Sequence, residues 1–213
     1  MKNYSILFLV CFLSCKAQII DKYNPDNLGS FITGAYYKDV TNFRDQFVGT
    51  WLYTNGSNSL TVMLRKRDSL YDIGNNSYQD IMIGAYKYIE NGVEKVNTLY
   101  QIDQSFGNDL LTNIKNYYLV SHTYKPYPEN YPYCTECNVN EKRLVFTLSE
   151  PGYNADYLAS NHFVIRSFIE NGIHKIKVWF YERNQIATLN SDNTINEPES
   201  YKLPQGVYIL TKQ

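Results

Sequence analysis

An alternation of apolar and polar side chains is the dominant pattern from Phe47 to the C-terminus. Successive side chains of a β-strand point to opposite faces, so a period of two residues is typical of strands with one buried face. Three segments show it most clearly, with apolar positions at Leu60, Val62 and Leu64, at Leu144, Phe146 and Leu148, and at Ile176, Val178 and Phe180. No apolar segment with a period of 3.6 residues reaches the usual length of a helix. The sequence therefore predicts an all-β protein.

The turn chemistry agrees with this prediction. Asn91-Gly92 and Asn171-Gly172 occupy the same place in a repeated pattern, I-E-N-G-[VI]-x-K-[VI]. Asn and Gly tolerate the positive φ angles of a type I′ turn, so each pair predicts a tight hairpin between antiparallel strands. Further predicted strands cover Phe47–Thr54, Tyr78–Glu90, Val93–Tyr100, Lys115–Tyr124, His162–Glu170 and Gly206–Thr211. Together they make about nine strands, at the short spacing that is typical of a sandwich or a barrel.

The first 18 residues have the composition of an export signal. Lys2 precedes an apolar run, Ile6 to Leu13, which is too short to stay in a bilayer as a spanning helix. The sequence LSCK around Cys15 resembles a bacterial lipobox, in which the cysteine becomes the lipidated first residue of the mature protein. We therefore expect cleavage before Cys15 and a membrane partner reached through a lipid anchor, on the outer or the inner membrane of the cell envelope. Cleavage after Ala17 or Gln18 is the alternative, and it would release a secreted protein.

Residues 19–46 are expected to form a tether and a structured lead-in to a domain at 47–213. The stretch from Asp21 to Asn27 is polar and rich in turn-forming residues, as is usual between an anchor and a folded body. Residues 39–46 have the pattern of one or two helical turns, with Asp39 or Thr41 as the N-cap.

The longest irregular segment runs from Tyr124 to Glu141 and contains three prolines. Proline has no backbone N–H to donate to a sheet or a helix, so this segment is predicted to be a loop. A loop of this length in a compact domain is usually functional or disordered. Exposed tyrosines offer a large contact area at a low entropic cost, so Tyr127, Tyr131 and Tyr133 are the candidates for binding a glycan or a protein.

Cys134 and Cys137 form the most specific local motif, C-T-E-C, within that loop. An exported chain meets an oxidising compartment, so a disulfide between them is the first expectation. The alternatives are two free thiols, or a zinc site completed by His122 and His162, although no second CxxC or paired-histidine spacing supports zinc. A thioredoxin-type redox site needs such a pair at the start of a helix, which the neighbouring prolines disfavour.

The sequence signatures of catalysis are missing. No two glycines lie closer than five residues apart, which excludes the G-x-G-x-x-G phosphate loop, and neither a G-x-S-x-G nor an H-E-x-x-H motif occurs. The net charge of −1 excludes a broad basic surface for nucleic acid. We therefore expect a non-catalytic protein with no catalytic residues, no cofactor, no metal and no nucleic-acid partner. The alternative hypothesis is a hydrolase or isomerase whose catalytic groups come from distant parts of the sequence.

The segment Phe47-Val-Gly-Thr-Trp-Leu-Tyr53 resembles the opening G-x-W strand of the lipocalin-like (calycin) barrels. The resemblance implies an antiparallel lipocalin-like β-barrel of roughly eight to ten strands, with a short helical lead-in. In that superfamily the glycine, here Gly49, packs at the barrel floor, and the tryptophan, here Trp51, closes the cavity against an arginine of a late strand. Arg183 is the expected partner and Arg166 the alternative. The superfamily's T-D-Y motif is missing from this chain. Together with the export signal, this layout also looks like uncharacterised lipocalin-like lipoproteins of Bacteroidota.

For function, the resemblance implies an anchored barrel that holds a small, hydrophobic ligand. A barrel of about eight strands encloses either packed side chains or one small ligand. If the inward side chains fill the interior, the alternative is a solid barrel that works as a surface module. Such a module would recognise a glycan or a protein through the loop at 124–141.

Overall fold

The structure is a computed structural model that describes residues 17–29, 31–151, 161–182, 188–189, 195–196 and 201–213. Strands dominate these residues, so the prediction of an all-β protein is confirmed. One α-helix, α1 (Leu110–Asn116), and three 3₁₀ helices (Pro25–Asn27, Phe43–Phe47 and Leu99–Gln101) also lie in the described residues. The strands are β1 (Ile19–Asp21), β2 (Tyr36–Lys38), β3 (Gly49–Asn55), β4 (Asn58–Asp72), β5 (Ser77–Glu90), β6 (Val93–Asn97), β7 (Leu119–Lys125), β8 (Arg143–Leu148), β9 (Asn161–Glu170), β10 (Ile173–Glu182), β11 (Thr188–Leu189), β12 (Ile195–Asn196) and β13 (Gly206–Lys212).

Eight of the described strands pair side by side, in chain order, and form a ring. The order is β3, β4, β5, β7, β8, β9, β10 and β13, and every pairing among them is antiparallel. Two of the joints are short: β13 meets β3 at Thr211–Leu52 and Lys212–Trp51, and β7 meets β5 around Ile83–Val120. β6 pairs with β5 beyond this ring, and β11 and β12 pair with each other.

The two Asn-Gly pairs form the tight turns that the sequence predicts. Asn91 and Gly92 have φ angles of 51° and 77°, and Asn171 and Gly172 have φ angles of 51° and 75°. Positive φ at both central residues defines a type I′ turn, whose twist matches that of the flanking strands. These turns connect β5 to β6 and β9 to β10.

Side chains fill the interior of the ring. The six apolar residues predicted to point inward from β4 and β10 are at most 2% exposed. They belong to one buried cluster with large aromatic side chains from the other strands, among them Trp51, Tyr86, Phe146 and Phe163. Protein interiors pack as densely as organic crystals, so such a cluster leaves little free volume between its members. The protein's own side chains therefore occupy the space in which the resemblance implied a ligand.

Gly84 permits the joint between β5 and β7. A Cβ atom at this position would lie 2.7 Å from Leu64 Cδ2, 2.9 Å from the Met63 carbonyl oxygen and 3.1 Å from Leu119 Cβ. The first two distances are well below van der Waals contact, so only glycine lets β4 and β7 approach β5 this closely.

A second apolar layer covers the outer side of β5. Ile81, Ile83 and Ala85 pack in a separate buried cluster with Leu110 of α1 and with Tyr117. The connection from β6 to β7, which contains α1, supplies this cover. Burial on both faces explains why the sequence of β5 has a continuous apolar run here instead of an alternation.

Residues 17–29 and 31–47, called the N-terminal arm below, are part of the folded body. β1 pairs in parallel with β2, and β2 pairs in parallel with the start of β5. Tyr23 is buried, and its ring packs against those of Phe43 and Tyr124. The polar stretch from Asp21 to Asn27, which was expected to be a tether, is therefore part of this folded arm. Polar, turn-rich composition indicates a solvated linker only when the segment finds no partner, and this segment has its partners on β5 and β7.

Arg44 attaches the arm to β5. Its Nε donates to Asp39 Oδ2 (3.0 Å), its Nη2 to Asp80 Oδ2 (2.9 Å) and its Nη1 to the carbonyl oxygen of Ile81 (2.8 Å). Both carboxylates are as buried as the guanidinium, which is the arrangement that buried charges require.

Asp39 also accepts hydrogen bonds from the backbone N–H groups of Phe43 and Arg44, in the 3₁₀ helix Phe43–Phe47. The N-cap of this 3₁₀ helix is Asn42, not the predicted Asp39 or Thr41. Asp39 nevertheless stabilises the first turn of the predicted helical lead-in through these two bonds.

Candidate functional site

A groove of about 670 Å³, called the arm groove below, lies outside the ring. The N-terminal arm, the β4–β5 turn, α1 and the end of β7 all contribute to its lining. Pockets that bind small molecules usually measure ~300–1,000 Å³. The arm groove is therefore of ligand size, and it exists only because the arm folds back onto the ring.

Exposed apolar side chains line much of the arm groove. Leu28 and Phe31 come from the arm, Ile73 from the β4–β5 turn and Leu111 from α1. Each of these side chains is more than 40% exposed. Large apolar side chains that converge on one exposed concave surface mark a site for a ligand or a partner.

Polar groups form the other part of the lining. Lys22 Nζ donates to Gln79 Oε1 (3.1 Å) and to the Asp80 carbonyl oxygen (2.6 Å), and Gln79 Nε2 donates to Asp72 Oδ2 (2.8 Å). Burial, followed by the positive charge of Arg44, lowers the pKa of Lys22 to about 7. At neutral pH this amine therefore carries only part of a positive charge.

Tyr124, at the end of β7, also lines the arm groove. Its side chain is 4% exposed, and its buried hydroxyl has no hydrogen-bond partner among the described residues. Burial, followed by the negative charge of Asp21, raises the pKa of Tyr124 to about 12, so the hydroxyl keeps its proton. Most buried polar groups have a partner, so this hydroxyl is an exception.

The loop at 124–141 is folded against the outside of the ring. Cys134 and Cys137 form the disulfide that the sequence predicts. Cys134 packs in a small buried cluster with Val145, Val164 and Trp179. Two ion pairs attach the end of the loop to β9 and β10: Arg166 with Glu141, and Lys177 with Glu136.

Arg143, at the start of β8, donates hydrogen bonds to the loop from its buried side. It is fully buried, and its Nη2 donates to the carbonyl oxygens of Tyr127 (2.9 Å) and Asn130 (2.8 Å). Its Nη1 donates to the carbonyl oxygen of Pro132. The centre of its guanidinium lies 5.7 Å from the centre of the Trp179 ring, within cation–π distance. The loop therefore has a fixed shape despite its irregular backbone.

The three tyrosines predicted to bind a partner are all exposed. Tyr127, Tyr131 and Tyr133 are 42%, 56% and 71% exposed, respectively. Tyr131 packs edge-on against Tyr133 and against Tyr181 of β10, with ring centres 6.2 Å and 4.9 Å apart. The structure therefore brings Tyr131, Tyr133 and Tyr181 together in one exposed aromatic patch.

Trp51 is fully buried where β3 meets β13. Its Nε1 donates to the carbonyl oxygen of Phe47 (2.8 Å), and the ring of His174 packs edge-on against it. Lys212 Nζ lies 5.4 Å from the centre of the Trp51 ring. Gly49 is needed beside it because its φ is +136° and a Cβ there would lie 3.1 Å from Lys212 Cε.

Among the described residues, the cation packed on the Trp51 ring is a lysine, Lys212. Lys212 is the register partner of Trp51 in the β13–β3 pairing, so the last strand of the ring places it there. Arg166, the alternative, pairs with Glu141 in the loop. Arg183, the expected partner, lies outside the described residues.

A serine–histidine pair lies beside Trp51. Ser167 Oγ is 2.7 Å from His174 Nε2. Burial, followed by the positive charge of Lys212, lowers the pKa of His174, so its imidazole is neutral at neutral pH. Among the described residues no carboxylate is bonded to His174, and such a group usually orients a catalytic histidine. The imidazole of this pair packs edge-on against the Trp51 ring.

Other sequence predictions fall partly or wholly outside the described residues. Cys15 and the export signal lie there, and so does the side chain of His122. His162, the other proposed zinc ligand, stacks on Tyr181. In the described ranges no group of three or more His, Cys, Asp or Glu side chains is arranged to hold a metal ion. No helix in the same ranges is both long enough and apolar enough to cross a membrane.

Comparison with known proteins places the sequence in a family. Residues 1–213 match the model of the Family of unknown function (DUF6705). The chain belongs to this family. The DUF6705 match covers the arm, the ring and the loop alike. No curated protein and no solved structure matches the chain.

The arm groove is the feature that reasoning from the sequence missed. A signal was present, because Leu28, Phe31 and Ile32 are large apolar residues within a segment interpreted as a polar tether. Ile73 is likewise an apolar residue in a hairpin turn, where polar residues are usual.

Proposed function

We propose that this DUF6705 protein is an exported, lipid-anchored, non-catalytic protein that binds a small apolar ligand in the arm groove. The observation that carries the proposal is the convergence of exposed Leu28, Phe31, Ile73 and Leu111 on a concave surface of ligand size. Because side chains fill the interior of the ring, we place the ligand in the groove outside the ring and not in its centre.

The ring itself is, in this proposal, a lipocalin-like barrel. Its eight antiparallel strands follow one another in chain order, and the first of them contains a buried tryptophan two residues after a glycine with positive φ. These features support the resemblance that Gly49 and Trp51 suggest in the sequence. Among the described residues, the cation packed on the tryptophan is Lys212.

A lipid anchor at Cys15 would place the arm groove near the membrane. Cys15 lies four residues before β1, and four extended residues span at most ~14 Å. The groove begins at Lys22, just after β1. An apolar ligand could then pass between the bilayer and the groove without a long path through water. Replacement of Cys15 by alanine should abolish membrane partitioning, and unchanged partitioning would contradict the anchor.

The binding proposal is tested with a neutral apolar fluorophore, N-phenyl-1-naphthylamine. The purified chain used begins at Lys16, so it lacks the lipidated cysteine and contains every described residue. We expect the fluorescence of the probe to rise on binding. Ile73→Asp should weaken binding at least about tenfold, because it places a charge in the apolar lining.

Ile169→Asp is the matched control, since Ile73 and Ile169 are both isoleucines near hairpin turns and are 69% and 72% exposed. Ile169 does not line the arm groove. Equal loss of binding in both variants, or no binding by the unchanged chain, would contradict the proposal.

A second candidate function is supported by the shape of the loop at 124–141. Arg143 and the disulfide hold this loop in one form, so Tyr131 and Tyr133 lose little further entropy when they contact a partner. The ring of Tyr131 is nearly perpendicular to its two neighbours, at 87° and 81°. This offers an uneven surface rather than a flat platform, which favours a protein partner over a glycan.

Joint replacement of Tyr127, Tyr131 and Tyr133 by alanine tests this candidate. We expect loss of capture of envelope proteins by the immobilised chain, with an unchanged melting temperature because all three side chains are exposed. Tyr100→Ala is the control, since Tyr100 is 62% exposed and outside the loop. Retained capture, or binding to a polysaccharide array instead, would contradict the protein-binding candidate.

A further inference from the structure

The first described residues of the chain lie beside the arm groove. The carbonyl oxygen of Gln18 accepts a hydrogen bond from the backbone N–H of Tyr36 (2.8 Å), at the start of the parallel pairing of β1 with β2. Because the two strands are parallel, the chain before Gln18 leads toward the residues that precede β2. There the backbone N–H of Gly34 donates to the carbonyl oxygen of Asn76 (2.7 Å), in the β4–β5 turn. That turn and the arm just before Gly34 both line the groove.

Cys15 is within reach of the groove from this starting point. Ile20 is the register partner of Tyr37, so their backbones lie one strand spacing apart, ~4.8 Å. Tyr37 lines the groove, and its ring packs against that of Phe31 at 5.8 Å between ring centres. Cys15 precedes Ile20 by five residues, which span at most ~17 Å when extended. A group attached to the sulfur of Cys15 can therefore enter the groove without any rearrangement of β1.

The charged side chains of the lining already have partners. Among the described residues that line the groove, only Lys22 and Asp72 carry charge. Lys22 Nζ donates to Gln79 Oε1 and to the carbonyl oxygen of Asp80. Asp72 Oδ2 accepts hydrogen bonds from the side-chain amides of Gln79 and Asn75. An ionised head group would find neither charge without a partner, so the lining favours an acyl chain that brings no ionised head group into the groove.

We propose that the occupant of the arm groove is the acyl chain of the protein's own lipid at Cys15, which the groove shields from water when no bilayer is present. This inference rests on the proposed function and names the ligand of the same site. The acyl chain lies along the exposed apolar side chains of the lining, Leu28, Phe31, Ile73 and Leu111. Attachment to the same molecule raises the effective concentration of this chain to about millimolar, so it excludes free apolar molecules from the groove.

The experiment compares two forms of the protein in buffer without detergent: the lipidated chain, purified from membranes and identified by its mass, and the chain that begins at Lys16. We expect the chain from Lys16 to bind N-phenyl-1-naphthylamine. The lipidated chain should bind this probe at least about tenfold more weakly, because the attached acyl chain competes with it. Light scattering should give the mass of a single chain for the lipidated form, since its acyl chain is shielded.

A matched pair of variants of the lipidated chain tests the place of the acyl chain. Ile73→Asp introduces a charge into the apolar lining, so the acyl chain should leave the groove and the protein should associate into larger particles. Ile169→Asp changes an equally exposed isoleucine that does not line the groove, and this variant should stay a single chain.

The outcomes separate this inference from the proposed function. Equal probe binding by the lipidated chain and the chain from Lys16, association of the unchanged lipidated chain, or the same behaviour of the two aspartate variants would overturn the inference alone. A mass without lipid on Cys15 would overturn the inference together with the anchor, while probe binding by the chain from Lys16 would still support the groove. Failure of that chain to bind the probe would overturn the groove as a ligand site.

Discussion

Two buried arginines attach the two irregular segments of the molecule to the ring, and they do so with different partners. Arg44, in the N-terminal arm, is bonded to the buried carboxylates of Asp39 and Asp80. Arg143, beneath the loop at 124–141, is bonded to backbone carbonyl oxygens of the loop itself. One arginine therefore completes a charge network, and the other organises a backbone.

The pKa values of the two guanidinium groups reflect this difference. Burial lowers the pKa of Arg143, and nearby Glu141 only partly offsets it. Burial also opposes the charge of Arg44, but Tyr23 and the neighbouring carboxylates together outweigh it and raise the pKa above its ordinary value. Both groups stay protonated, since arginine is not deprotonated in proteins. Loss of Arg44 therefore leaves two buried carboxylate charges unpaired, whereas loss of Arg143 leaves only backbone carbonyl dipoles unpaired.

The largest effect is expected for Arg44→Met. This change leaves Asp39 and Asp80 buried without their cation, which costs ~3–5 kcal/mol in the free energy of unfolding. Urea denaturation measures the loss, and probe binding should fall with it because the arm forms part of the groove. Lys66→Met is the control, since it breaks the exposed pair with Asp45 and should cost less than ~1 kcal/mol. If Arg44→Met and Lys66→Met lowered the free energy of unfolding by similar amounts, the buried ion pairs would be worth no more than the exposed one, which would contradict this prediction.

Arg143→Met should have a smaller and more local effect. The freed carbonyl oxygens belong to a surface loop and can bind water, so we expect a loss of ~1–3 kcal/mol. Hydrogen exchange should increase between residues 124 and 141, while probe binding in the arm groove stays unchanged. Loss of probe binding in this variant would show that the two attachments are coupled.

Removal of the disulfide should lower the free energy of unfolding by less than Arg143→Met does. Cys134 and Cys137 are three residues apart, and a ring this short restricts the unfolded chain by only ~1–2 kcal/mol. The double variant Cys134→Ser with Cys137→Ser should keep the loop closed, because Arg143 still bonds its carbonyl oxygens. Calorimetry of this variant, of Arg143→Met and of their combination measures the coupling between the two restraints. A combined loss equal to the sum would show that they act independently.

The smallest effect is a pH dependence at His174. Its pKa in the folded protein lies below the ordinary value of 6.5, so the unfolded chain takes up a proton first as the pH falls through 6.5. The free energy of unfolding should therefore decrease as the pH falls through this range. Denaturation curves measured at several pH values give the free energy of unfolding at each pH. His174→Gln should show a smaller decrease in this free energy below pH 6.5 than the unchanged protein does. An identical pH profile in both proteins would contradict the lowered pKa.

Much of the ring is predictable from local sequence. The alternation in β4, β8 and β10 predicts strands because side-chain direction in a strand depends only on the backbone. The Asn-Gly turns follow from the φ preferences of two residues, and the disulfide joins cysteines three residues apart. Local sequence also predicted that the tyrosines of the proline-rich loop are exposed.

The arm groove was not predictable by the same reasoning. Its lining comes from residues between Lys22 and Tyr124 in the sequence, and no local pattern states that they meet. The error about the tether has the same origin, since Arg44 finds Asp80 thirty-six residues further along the chain. The place of Lys212 beside Trp51 was likewise not predictable, because the pairing of β13 with β3 decides which side chain arrives there.

The amino-acid sequence by itself predicted antiparallel strands joined by tight turns, and it gave a disulfide in the proline-rich loop as the first of several alternatives. Those features depend on side-chain alternation and on backbone preferences of adjacent residues. Only the tertiary structure decided that the interior is filled, that the arm packs on the ring and that an apolar groove opens beside it. Those features depend on volume and charge shared between distant residues, which become neighbours only when the chain is folded.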